Sequence, residues 1–156
     1  MDNRAEEKKV TVVAVDDDPV ILREIMIALD SYTVRPFPSG ETALKFLSQH
    51  NNVDIILLDI HMPPGMSGIE VLENISKSEE LSQIPVIFLT SEERADIEAQ
   101  TLQKGAADYV CKPINKEVLK SRIALQLNFK KDTDSPDSPT DDADEIIDSS
   151  IDELLD

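Results

Sequence analysis

A chain of 156 residues with 32 acids against 15 bases, a formal charge of −17, has the length of one ordinary globular domain. That charge repels a nucleic-acid backbone, which argues against nonspecific DNA binding. The opening MDNRAEEKK lacks the apolar core of a secretion signal, no run approaches roughly 18 consecutive apolar residues, and Cys111 stands alone, so the expectation is a cytoplasmic chain without a membrane span or an internal disulfide.

In chain order, the β-branched run Val10–Val15 predicts a first strand buried on both faces. Asp16, Asp17, Asp18 and Pro19 stop it, and Asp18 is placed to cap a helix that has Pro19 at its first position. The helix, over about 19–30, is expected to bury a stripe of Val20/Ile21, Glu24/Ile25 and Ala28/Leu29. Thr33–Phe37 reads as a short second strand, and Ser39 as the cap of a helix to about Gln49 with Ala43, Leu44 and Leu47 facing inward. The strongest strand signal is Asp54–Leu58, which ends on Asp59.

A loop rich in proline and glycine, His61–Gly68, leads to a helix carrying Ile69, Leu72 and Ile75. Pro85–Leu89 is the next buried strand and ends at Thr90. A polar helix over about 94–104 is closed by Gly105, a short strand covers Asp108–Cys111 before Lys112 and Pro113, and Asn115 caps a last helix to about Phe129. Five strands alternating with five helices predict an α/β fold, a doubly wound parallel sheet covered on both faces.

From Lys130 onward eleven acids face two lysines, so this tail carries −9 and the rest −8. Residues 132–144 contain no apolar side chain except alanine and cannot bury a core. Ile146, Ile147, Ile151, Leu154 and Leu155 then recur at roughly helical spacing among acids. The organisation expected is a domain over 8–129 and a largely disordered acidic tail over 130–156 that includes a short amphipathic element. Three readings of that element stay open: a disordered terminus, a helix that docks, and the start of an output domain.

The chemistry-bearing side chains fall where strands end. Asp16 and Asp17 follow the first strand, Asp59 ends the third, Thr90 the fourth, and Lys112 follows the fifth. In an open parallel sheet, ligands bind outside the carboxyl ends of the strands. Carboxylates gathered there would repel one another unless a cation neutralised them, and hard oxygen donors suit Mg²⁺. A lysine adds a point charge for a phosphoryl oxygen, and an aspartate is a competent nucleophile toward phosphorus. Each signal alone has a bland reading: a helix cap for Asp18, a structural threonine, a solvated lysine. Their joint placement favours phosphoryl chemistry.

VDDDP at 15–19, LLDIHMPPGMSG at 57–68, FLTS at 88–91 and DYVCKP at 108–113 resemble the receiver domains of two-component response regulators, the CheY-like family. The resemblance implies the flavodoxin-like strand order 2-1-3-4-5 and a phosphoacceptor switch rather than a turnover enzyme. It implies that Asp59 takes a phosphoryl group from a phosphohistidine on a sensor histidine kinase or phosphotransfer protein. Asp16, Asp17, Asp59 and the backbone carbonyl of His61 would hold Mg²⁺. Lys112 would pair with the phosphoryl group, Pro113 would follow a cis peptide, and Thr90 with Tyr109 would form the switch pair.

The family's kinetic tuning positions fall on His61 and Glu92. Implied partners are a downstream protein or a missing output domain, with room for a homodimer through the face of strands four and five. The chain departs from the family pattern in a β3–helix loop one residue longer than Asp-x-x-Met-Pro-x-Met-x-Gly, and in Ser67 where an acid is common. Two other classes remain as alternatives: a phosphorylation-independent interaction module of the same fold, and a phosphate hydrolase or flavin protein. The four glycines form no Gly-x-Gly-x-x-Gly or P-loop signature, which counts against the last class.

Overall fold

The structure, a computed structural model, describes residues 9–91, 100 and 102–134, with the side chains of 129–134 outside the description. Five strands, β1 (Thr11–Val15), β2 (Thr33–Phe37), β3 (Ile55–Asp59), β4 (Val86–Thr90) and β5 (Asp108–Cys111), form one sheet in the order β2-β1-β3-β4-β5, with every neighbouring pair parallel. The strands lie within a residue of the expected ones, because continuous Val, Ile and Leu runs leave little freedom in where a strand buried on both faces can sit.

Four α-helices are described: α1 (Pro19–Ala28), α2 (Gly40–Gln49), α3 (Gly68–Ser76) and α4 (Lys116–Asp134). The helix expected over 94–104 falls mostly outside the described residues, although Gln100, Leu102 and Gln103 are helical and Gly105 has a φ of 109°. Asp18, Ser39 and Asn115 cap helices as expected, accepting from the amides of Val20, Thr42 and Val118 at 2.9, 3.2 and 3.0 Å. A short 3₁₀ turn at Leu81–Gln83 was not foreseen.

One face of the sheet packs Val13, Val15, Ile56, Leu58, Val86 and Phe88 against Ala43 and Leu47 of α2 and Val71, Leu72 and Ile75 of α3. Alternation leaves Val12, Ala14, Ile55, Leu57, Ile87 and Leu89 to the opposite face, toward the side where Ile25, Leu29, Leu119 and Ile123 are buried. The expected stripe of α1 needs one correction. Ile25, Ala28 and Leu29 are buried and Ile21 is half-buried, but Val20 is 60% exposed and Glu24 is exposed as well, as is Ile27 outside the expected stripe. Val20 precedes Ile25 by five positions, which rotates it about 140° round the helix and off the buried stripe.

The residues through Gln126 form one compact unit, and α4 runs on past the expected end at Phe129. The tail beyond Asp134, with its apolar spacing, lies outside the described residues.

Candidate functional site

Strand register brings the polar ends together. Val15 pairs with Leu58, so Asp16 leaves β1 level with Asp59 at the end of β3. Asp59 pairs with Leu89, which puts Thr90 one step further along β4, and Thr90 pairs with Cys111, the residue before Lys112. Asp16, Asp59 and Thr90 are 1%, 5% and 3% exposed, and they are the buried polar or charged residues among those described.

Three carboxylates, from Asp16, Asp17 and Asp59, offer oxygens that all lie within 4.8 Å of one another. Lys112 reaches into the cluster, its Nζ 3.3 Å from Asp59 Oδ1 and 2.8 Å from Asp16 Oδ2. The contact with Asp59 is a hydrogen bond donated by the ammonium. The contact with Asp16 is close but not aligned as one, so Asp16 Oδ2 is buried with an ion pair and no directed hydrogen bond. Its other oxygen, Oδ1, accepts from the amide of Asp18 at 2.9 Å.

The electrostatics follow from this crowding. Burial first, and then the Asp16 charge, push the Asp59 carboxyl from an ordinary 3.8 up to about 6, against the pull of Lys112. Burial works to lower the Lys112 pKa, but contact with Asp16 and the charges of Asp59 and Asp16 outweigh it and hold the ammonium's pKa above its usual value. Three carboxylates and one ammonium leave a formal charge of −2, which a divalent cation would balance.

The donor set fits Mg²⁺. Octahedral oxygens at about 2.1 Å from the ion stand about 3 to 4 Å apart. The carboxylate oxygens lie within 4.8 Å of one another, so closing by up to about 2 Å, within side-chain reach, would bring them onto one ion, and Asp16 Oδ2 has a lone pair to offer.

The loop after Asp59 is held from several sides. The Ile60 amide donates to Leu89 O at 3.3 Å, and the Gly68 amide donates to Ile60 O at 2.8 Å. A side chain at Gly68 would stand 2.1 Å from the Asp59 carbonyl oxygen, so only glycine lets α3 begin against the backbone of Asp59. Met62 is buried beneath the loop and His61 is exposed above it. The Lys112–Pro113 peptide is cis, as is Pro63–Pro64.

Of the other expected residues, Tyr109 pairs with Phe88 and is half-buried against the core, and Cys111 is half-buried. Glu92 lies outside the described residues. Two features were missed. Ser67 forms a capping box with Glu70, a signature legible as Ser-x-x-Glu. Glu41 of α2 accepts from the Met66 amide at 3.0 Å, a contact between distant segments that no local pattern announces.

A family model for the response regulator receiver domain matches residues 12–124. A probable cyclic di-GMP phosphodiesterase of Vibrio cholerae is 38% identical over 125 residues, 80% of this chain and 28% of that protein. The two-component response regulator ORR7 of Oryza sativa subsp. japonica is 39% identical over 106 residues, 66% of this chain and 50% of that protein. The chain thus spans half or less of these curated relatives. Among solved structures, the chemotaxis protein CheY4 of Vibrio cholerae aligns with a TM-score of 0.71 at 26% identity, over 76% of this chain and 98% of that one. A response regulator/GGDEF domain protein aligns with a TM-score of 0.72 at 24% identity, over 79% of this chain and 51% of that one, a likeness of fold alone.

Proposed function

This chain belongs to the response regulator receiver family, and on that premise we propose that Asp59 accepts a phosphoryl group from a phosphohistidine on a sensor kinase or phosphotransfer protein. The observation that carries the proposal is the cluster itself: Asp16, Asp17 and Asp59 within 4.8 Å, with Lys112 against two of them.

An oxygen of the Asp59 carboxylate attacks phosphorus in line with the bond to the histidine nitrogen. That P–N bond breaks as the new P–O bond forms, and the imidazole leaves with its electron pair and takes a proton from solvent. Asp59 must be ionised to attack, and at about 6 its carboxyl is so at neutral pH. Lys112 holds the carboxylate by one hydrogen bond and follows the charge as it moves onto the phosphoryl oxygens. Bound Mg²⁺ supplies neutralisation of the carboxylates and of the transferring oxygens. Asp16 and Asp17, Asp59 and the carbonyl of His61 are the groups that would hold it.

The receiver then acts as a switch. Thr90, at the end of β4, bonds the new phosphoryl oxygen, and Tyr109 follows inward behind it, which changes the surface around β4 and β5 that a partner or output domain reads. What supports this is placement: Thr90 is buried at the end of β4, the strand next to β3, and Tyr109 sits half-buried on β5. Among the described residues no helix is long and apolar enough to cross a membrane. We place the reaction in the cytoplasm, a reducing compartment in keeping with the lone free thiol of Cys111.

Acetyl phosphate with Mg²⁺ tests the proposal. Intact mass should rise by one phosphoryl group, and chelating the metal should abolish the gain. An unchanged mass in saturating donor and Mg²⁺ would remove the proposal.

A further inference from the structure

The loop between β3 and α3 carries the extra residue of this chain, and the structure shows what holds it from outside. Its base is closed by Gly68 N to Ile60 O at 2.8 Å, and its turn by Gly65 N to Met62 O at 3.1 Å. Both of these ties are internal. A third comes from another element: the carboxylate of Glu41, in the first turn of α2, accepts from Met66 N at 3.0 Å. The same carboxylate lies flat against Gly65, where both of its oxygens would stand 3.0 Å from an added Cβ. Glycine therefore leaves room for the clamp, and its φ is not positive, so the backbone there tolerates alanine.

From this geometry we infer that Glu41 is a positioning residue for the acidic site: it clamps the lengthened loop and so restricts the directions open to the His61 carbonyl, the backbone group proposed above as a Mg²⁺ ligand. The inference rests on the reading of the site proposed above. His61 sits between Ile60, fixed by Leu89 and Gly68, and Met62, fixed by its own burial and by Gly65. Releasing Met66 frees the far side of that turn and widens the range of directions open to the His61 carbonyl. The competing account is local. An acid in the first turn of a helix stabilises the helix through its dipole, whatever the loop does.

Three variants separate the two accounts. Glu41→Gln keeps an acceptor for Met66 and removes the charge. Glu41→Ala removes both. Gly65→Ala leaves Glu41 in place but sets a Cβ 3.0 Å from both carboxylate oxygens, so the flexible glutamate tip must give way slightly and its bond to Met66 N lengthens while the fold survives.

The measurements, on the full chain, are Mg²⁺ affinity by calorimetry, hydrogen exchange of the Met66 amide in metal-free buffer, and the half-life of the phosphorylated protein once donor is removed. Glu41→Ala should lose Met66 protection, bind Mg²⁺ about three- to tenfold more weakly and change the phosphoryl half-life, and Gly65→Ala should move all three readouts the same way by a smaller amount. Glu41→Gln should stay within about twofold of the parent in Mg²⁺ affinity.

If Met66 protection falls in both variants while Mg²⁺ affinity and half-life match the parent, the clamp is only structural and the inference is overturned. Equal Mg²⁺ loss in Glu41→Gln and Glu41→Ala, with Gly65→Ala unchanged, overturns it in favour of charge alone. A parent protein that takes up neither Mg²⁺ nor a phosphoryl group overturns the proposed function and this inference together, whereas a competent parent with indifferent variants overturns the inference alone.

Discussion

The bodies of the strands and their carboxyl ends obey opposite rules. In the bodies of β1, β3 and β4 the buried side chains are Val, Ala, Ile, Leu and Phe. One step further the same sheet buries Asp16, Asp59 and Thr90. A buried apolar side chain adds stability in proportion to the area removed from water, whereas a buried carboxylate costs stability unless it is paired. The charged end of the sheet is therefore held in place by the apolar body rather than by its own interactions. Three carboxylates are crowded there, and Lys112 offsets part of their repulsion.

Substitutions at the two levels should break or sharpen this contrast. The largest loss is expected in the body: Phe88→Ala opens a cavity between the sheet and α3 and should cost about 4 kcal/mol in urea denaturation. At the charged end, Lys112→Ala strips the counter-charge from Asp16 and Asp59, and in metal-free buffer it should cost about 3 kcal/mol. Saturating Mg²⁺ should return part of that loss, while the Phe88→Ala loss should stay the same size.

Asp59→Asn should move stability in the other direction. With its carboxyl raised from 3.8 to about 6, the folded protein binds more protons than the unfolded chain between those values. Stability of the parent therefore falls as pH rises through that window, and the penalty is complete above it. The amide has no such term, so Asp59→Asn should be more stable by about 2 kcal/mol at pH 8 without metal, with the gap closing as pH falls toward 4. Thermal melts in chelator across that range read it directly. A gap that widens on acidification would reverse the sign and contradict the account of the site. At the small end, Ile27→Ser on the exposed side of α1 should change stability by less than about 0.5 kcal/mol.

The same contrast explains how much the sequence discloses. Continuous apolar runs such as IILL and VIFL announce buried parallel strands, and Asp16, Asp59, Thr90 and Lys112 were legible as residues at their ends, while the strand order that brings them together came from the family resemblance. Caps at Asp18, Ser39 and Asn115 were legible because their bonds are local. The stripe of α1 was misjudged at Val20 and Glu24, since an apolar residue on a helix can face water and hydropathy does not give the helix's rotation. The contact of Gly68 with the Asp59 backbone and the reach of Glu41 to Met66 depend on how separate elements meet in space, which no local pattern encodes.

The central claim is that Asp59 is the nucleophile. Borohydride reduces an aspartyl phosphate to homoserine, so trapping the acetyl phosphate-treated protein and sequencing its peptides by mass spectrometry tests that claim most directly. Homoserine should appear at position 59, in the peptide that spans Ile55 to His61, and nowhere in Asp59→Asn. Homoserine at Asp16 or Asp17, or label that persists in Asp59→Asn, would contradict it.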